Sequence, residues 1–350
     1  MDAYDSGPVA NRSISRRQAL VVGGAGLTVA ALAAAGLPTF ARAQTPVASL
    51  AAGDFAGLVD IGGRSLYMET KGTGGPTVVF ESGYLGRGDV WSRDNLEPEG
   101  ARTMVMPGVA AFTHAVSYDR PGTIGETNPD LNPTAPPFYP SRSDPVPQPR
   151  VYSDIVSDLH TMLQNAEVPG PYVLVAHSAG GMMSRLYAST YPEEVVGMVL
   201  LDTANENGFI EFKKALSPEQ WTEFEAVAVN NPELLDAYPE AEFIWTAPLE
   251  DDPNCALVRQ AQADSPLRPI PLVVLKHGLP FADPFPGWPS EEMEQIMLEL
   301  QEDLVALVPD ARYGVAELSG HNIHQDQPEL VIEAVRQVVE AVRDPGSWTT

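Results

Sequence analysis

From residue 58 onward the chain alternates between two hydrophobic rhythms. Residues 58–61 and 65–69 flank Gly62-Gly63 and predict a hairpin. Residues 77–81 and 114–118 are short, almost unbroken apolar runs, the pattern of strands buried on both faces. Residues 172–176 (Tyr-Val-Leu-Val-Ala) are the strongest run of this kind. Between them, Val151, Ile155, Leu159 and Leu163 recur at helical spacing over 151–166, and Val168-Pro169-Gly170 stops that helix. Further on, the pattern predicts a helix over 179–191 and strands over 196–201 and 272–275. A helix over 291–307, a strand over 312–318 and a last helix over 328–342 close the chain. Such alternation implies an α/β fold, a mostly parallel central sheet with helices on both faces. Two segments break the rhythm. Residues 126–150 are rich in Pro and Ser and predict a long irregular loop. Residues 205–268 carry short helical patterns and the aromatics Phe209, Phe212, Trp221, Phe224 and Trp245, and read as a small helical cap. The expected core is then 56–204 with 269–345, and the cap is 205–268.

The first 43 residues have a different character. Arg16-Arg17 precede an apolar run from 19 to 37, and Ala41-Arg42-Ala43 stands before Gln44. Paired arginines, a mild apolar stretch and an A-x-A site resemble a bacterial twin-arginine export signal. A retained anchor is the competing reading, because 19 residues just reach across a bilayer. The weak hydrophobicity of the run and the A-x-A site favour removal, with no stable membrane anchor afterwards and 44–55 left as a linker. The twin-arginine export machinery is then a partner, and the mature chain works in the periplasm or outside the cell.

Composition narrows the choice of partner. The 350 residues hold 47 Asp and Glu against 21 Lys and Arg, a net charge of −26. Loss of the address removes four arginines and two aspartates and sharpens the charge to −28. A surface this acidic argues against nucleic-acid binding. The single cysteine, Cys255, cannot close an intramolecular disulfide.

Candidate chemistry concentrates at Ala176-His177-Ser178-Ala179-Gly180-Gly181, between the strongest strand and a helix. This resembles the nucleophile elbow of the α/β-hydrolase fold, a turn so tight that residues two either side of the serine must be small. Ala176 stands where glycine is usual. The resemblance covers residues 58–342. It implies that Ser178 is a nucleophile held clear of the sheet, with the N–H groups of a following helix aimed at a developing oxyanion. Glu81-Ser82-Gly83-Tyr84 follows the third strand where the family often has His-Gly-x, so the resemblance implies an oxyanion hole from the amides of Tyr84 and Ala179. Asp119-Arg120-Pro121-Gly122 resembles the family's structural Asp-Arg-x-Gly turn.

A serine needs a base to take its proton. The resemblance implies a histidine in the loop after the last strand, where His321 adjoins Gly320, with His324 the competitor three residues on. His177, held by the elbow, is expected to pack, and His114, His160 and His277 are given structural roles. The acid follows either the sixth or the seventh strand. Asp202 ends the sixth in Val199-Leu200-Leu201-Asp202 and is the first choice. Asp283, two residues late after His277-Gly278, is the alternative. The implied activity is cofactor-free and metal-free hydrolysis of a small-molecule carboxylic ester, or an amide, through an acyl-enzyme. The competing readings are a haloperoxidase-like or hydroxynitrile-lyase-like enzyme on the same triad, or a catalytically dead exported binding protein.

Overall fold

The structure is a computed structural model that describes residues 53–229 and 232–348. The expected export signal at 1–43, and the linker as far as residue 52, lie outside these described residues. Eight strands form one sheet: β1 (Phe55–Asp60), β2 (Ser65–Lys71), β3 (Thr77–Glu81), β4 (Ala115–Tyr118), β5 (Tyr172–His177), β6 (Val195–Leu201), β7 (Leu272–His277) and β8 (Arg312–Ala316). Their order is β1-β2-β4-β3-β5-β6-β7-β8. The first hairpin is antiparallel, β2 runs antiparallel to β4, and every later neighbour is parallel.

Helices α1 (Val105–Ala110), α2 (Tyr152–Asn165) and α3 (Gly180–Thr190) alternate with the strands. The segment read as a cap folds into α4 (Gly208–Ala215), α5 (Pro218–Val229), α6 (Pro232–Ala237) and α7 (Pro253–Asp264). Then come α8 (Ser290–Val305), the single turn α9 (Ile323–Asp326) and α10 (Pro328–Arg343).

The unbroken apolar strands are explained by what lies on each side of the sheet. On β5, Tyr172, Leu174 and Ala176 face a core shared with α2, α3 and the cap. Val173 and Val175 face the opposite core, shared with α1 and α10. Both strand faces are therefore dry, and no polar alternation survives in the sequence. Helix α10 buries Val331, Val335, Val338 and Val339, one stripe at helical spacing, and α2 does the same with Ile155, Leu159 and Leu163.

Two expectations need adjustment. The loop over 126–150 is not wholly irregular: Phe138–Pro140 pairs antiparallel with Ile124–Glu126. The last strand stops at Ala316, because the Ser319 amide turns back to the Ala316 carbonyl and leaves Leu318 exposed. No helix among the described residues is long and apolar enough to cross a membrane.

Candidate active site

Strand β5 delivers Ser178 to the carboxyl edge of the sheet, and the chain turns at once into α3. The turn is sharp enough to hold Ser178 at φ 53°, in the left-handed region that only glycine adopts freely. The small residues behind it are required by contact. A Cβ on Gly180 would lie 2.6 Å from the Ser82 carbonyl oxygen, and one on Gly181 would lie 2.4 Å from Thr203 Cβ. Ala176, in place of the usual glycine, is fully buried in the core.

The Ser82–Tyr84 loop lies directly against this elbow: a Cβ on Gly83 would approach Ser178 Cβ to 3.1 Å. The amides of Tyr84 and Ala179 donate to no acceptor among the described residues. Both therefore stand available beside the serine. Arg120 holds the loop from behind. It donates to the carbonyls of Ser82 (2.8 Å) and Gly83 (2.6 Å) and pairs with Glu81 at 2.5 Å and Glu242 at 2.7 Å. Glu242 also accepts the Leu85 amide at 3.0 Å. Burial pushes the Glu81 carboxyl up despite Arg120, and Glu81 also accepts the Tyr118 hydroxyl at 2.6 Å.

His321, in the loop after β8, donates from Nδ1 to Asp202 Oδ2 at 2.6 Å. Its Nε2 has no partner among the described residues, and His321 and Ser178 line the same cavities. Asp202 follows β6 and also has a left-handed backbone, φ 46°. Its second oxygen is taken by another histidine: His277, at the end of β7, donates from Nδ1 to Oδ1 at 2.6 Å, and its backbone amide reaches the same atom at 3.2 Å. His277 Nε2 in turn meets Glu294 Oε2 of α8 at 3.0 Å. Burial would raise the Asp202 carboxyl, but the hydrogen bonds from His277 and His321 outweigh it and hold it well below the usual range. Asp283, the alternative acid, is exposed and bonded to Ser290 instead.

Two other histidines pack behind His321. His177 donates from Nε2 to the His321 carbonyl at 2.9 Å, which steadies that loop. His324 packs at a tilt against Trp91 and His177 with neither ring nitrogen partnered, and burial pushes its pKa down to about 3. It is a neutral core ring, unlike the competing base the sequence offered.

Two cavities meet over Ser178, His321 and Tyr84. One, about 130 Å3, is walled by Phe209, Phe212, Phe224, Trp245, Trp288 and Met182. The other, about 570 Å3, is mixed, with Arg87, Asp89, Arg93 and Gln325 set among apolar residues such as Ile124 and Leu279. Cys255 is buried away from both, and burial pushes its thiol up.

Sequence reasoning gave His277 a structural role and missed Glu294 and Glu242. The one available signal was His277 itself, standing at a strand end where an acid was sought.

Comparison with known proteins agrees with this architecture. The profile of the alpha/beta hydrolase family matches residues 78–334. YqjL, an uncharacterized protein of Bacillus subtilis (strain 168), is 26% identical over 269 residues, covering 77% of this chain and 85% of its own length. The crystal structure of VinJ superposes with a TM-score of 0.53 at 18% identity, covering 82% of this chain and 99% of its own. The haloalkane dehalogenase DatA from Agrobacterium tumefaciens C58 gives 0.52 at 13%, covering 84% and 99%. At such identities these two structures speak to the fold alone.

Proposed function

The chain belongs to the alpha/beta hydrolase family, and from that premise we propose a serine hydrolase that cleaves carboxylic esters through an acyl-enzyme. One observation carries this reading: Ser178, in its strained elbow, and His321, hydrogen-bonded to Asp202, line the same two cavities. In the proposed cycle His321 Nε2 takes the hydroxyl proton of Ser178 as Oγ attacks the ester carbonyl. The amides of Tyr84 and Ala179 receive the oxyanion. Helix α3, starting at Gly180, adds its positive N-terminal end. His321 then gives the proton to the leaving alcohol, and the same base activates water to release the acid.

The cavities support a substrate with two unlike halves. The aromatic chamber is close in size to an apolar cavity of about 150 Å3 that takes benzene. A compact apolar acyl group suits it, since the acyl half must stay bound through the second step. The larger, mixed chamber, which carries the charged side chains, suits the alcohol, which has to leave before water arrives. Carried by its N-terminal address, the enzyme would act outside the cytoplasm, as a chain starting at Gln44 in the exported fraction.

A fluorophosphonate probe should label wild-type protein on Ser178 and leave Ser178→Ala unlabelled. p-Nitrophenyl butyrate and benzoate should turn over faster than the laurate. An unlabelled folded wild type would remove the serine-hydrolase reading, and equal rates across the series would remove the compact acyl chamber.

A further inference from the structure

Asp202 is shared. Each of its oxygens accepts a histidine Nδ1–H at 2.6 Å, from His321 on one side and His277 on the other. A base that works with an aspartate needs one such contact. The second histidine needs a physical account of its own.

His277 is 1% exposed, and both of its ring nitrogens face carboxylates: Asp202 at 2.6 Å and Glu294 at 3.0 Å. A neutral imidazole has one N–H and one lone pair. In either tautomer the lone pair would meet a carboxylate oxygen, so only the doubly protonated ring satisfies both contacts. The remaining surroundings are consistent with a cation. Lys276, the adjacent charge on β7, lies 3.9 Å from Glu294 and donates to the His277 carbonyl, so Glu294 stands between the two positive groups. The Phe281 amide donates to the other Glu294 oxygen at 3.1 Å, and its ring meets His277 edge-on. Strand β8 brings only Ala316 opposite His277. His321 reaches it through Asp202.

We propose that His277 is a positioning residue for the reaction, an imidazolium clamped between Asp202 and Glu294 that fixes the plane of the Asp202 carboxylate and offsets part of its charge. The proposal rests on the reading of Asp202 as the triad acid. Burial disfavours the charge on His277, but the hydrogen bonds to Asp202 and Glu294 outweigh it and push its pKa up to about 9. Through the working range the fixed cation therefore sits on the far side of the carboxylate that stabilises a protonated His321. Two like charges share one acid. The charge on His277 and the proton that His321 takes from the serine are therefore coupled through one carboxylate.

Two measurements separate this role from simple packing. The first is the pH profile of kcat/KM for wild type and His277→Asn, in which the amide keeps an N–H for Asp202 and discards the charge. The acidic limb should move to higher pH by about one unit. A purely structural residue would lower the rate by the same factor at every pH and leave the limb in place, which would overturn the proposal. The second is 15N NMR titration of the imidazoles in Ser178→Ala protein, which requires no activity. His277 should titrate near 9, and Glu294→Gln should bring it toward its ordinary value of about 6.5. Titration near the ordinary value in the Ser178→Ala protein would also overturn the proposal. If Ser178 proves unreactive to the fluorophosphonate, the hydrolase reading falls, whereas the imidazolium clamp still stands or falls on the NMR titration. That titration also decides the matter if His277→Asn does not fold.

Discussion

At Ser178 and Asp202 the backbone sits at φ 53° and 46°. Each left-handed non-glycine residue costs about 1–2 kcal/mol, so the surrounding packing and hydrogen bonds hold both against local preference. Strain of this kind at two strand ends, with His321 joined to one of them, is what a preorganised site requires. Asp202→Asn should therefore lower kcat by about 10^3-fold or more. An amide can accept from only one of the two histidines, and its NH2 would oppose the N–H of the other. Asp283→Asn, on an exposed side chain bonded to Ser290, should change kcat by no more than about two-fold. Steady-state kinetics of the two variants decides between them, and a collapse confined to Asp283→Asn would make Asp202 the wrong acid. Ser178 was legible in the sequence because a tight turn forces small residues within two positions of it. His321 was legible because it adjoins Gly320 after the last strand. His277 left only its place at a strand end, which does not show its partners: the two carboxylates lie 75 and 17 residues away in the chain.

The elements that support the Ser82–Tyr84 loop come from three parts of the chain. Strand β3 ends at Glu81 and leads into the loop, the turn after β4 supplies Arg120, and the segment read as a cap supplies Glu242. The turn can receive the cap so closely because Gly122 has φ +84°; a Cβ there would lie 2.5 Å from the Glu242 nitrogen. Asp119 fastens the same turn to Arg142 with paired contacts at 2.7 and 2.8 Å. Strands and helices could be read locally, since each has its own hydrophobic period. The Arg120–Glu242 pair could not, because 122 residues separate its members and a single glutamate between Ala241 and Phe243 carries no pattern. Glu242→Gln leaves Arg120 paired with Glu81 alone and weakens a buried, charge-assisted contact, so it should lower stability by about 1–3 kcal/mol in urea unfolding. It should also lower kcat more than it changes KM, since the Gly83 carbonyl beside the Tyr84 amide loses a firm anchor. An unchanged unfolding midpoint would mean that the cap and the Ser82–Tyr84 loop are not coupled through this contact.

Over the whole molecule, histidines are buried in two opposite states, which gives stability a maximum in pH. His324 is held neutral with its pKa near 3, and His177 is also pushed well down, first by burial and then by its histidine neighbours. In the unfolded chain both would titrate near about 6.5. Below that pH the unfolded state takes up protons that the native state refuses, so stability present above about 6.5 is lost as the pH falls toward the folded values. For His324 alone the loss between pH 6.5 and 5 is about 2 kcal/mol. His277 runs the other way. With a folded pKa of about 9, its contribution is complete below about 6.5 and fades as the pH rises through the folded value, by about 2 kcal/mol at pH 8. The charge of −26 adds self-repulsion on the same alkaline side. Urea unfolding from pH 5 to 9 should therefore give a dome with its maximum close to pH 6.5. His324→Phe fills the same space beside Trp91 with a ring that does not titrate, and should flatten the acid slope in part, His177 retaining the rest. His277→Asn should flatten the alkaline slope and leave the acid one alone. A stability curve level from pH 5 to 8 in the wild type would contradict both assignments. A dome whose acid side is unchanged in His324→Phe would move that slope to His177.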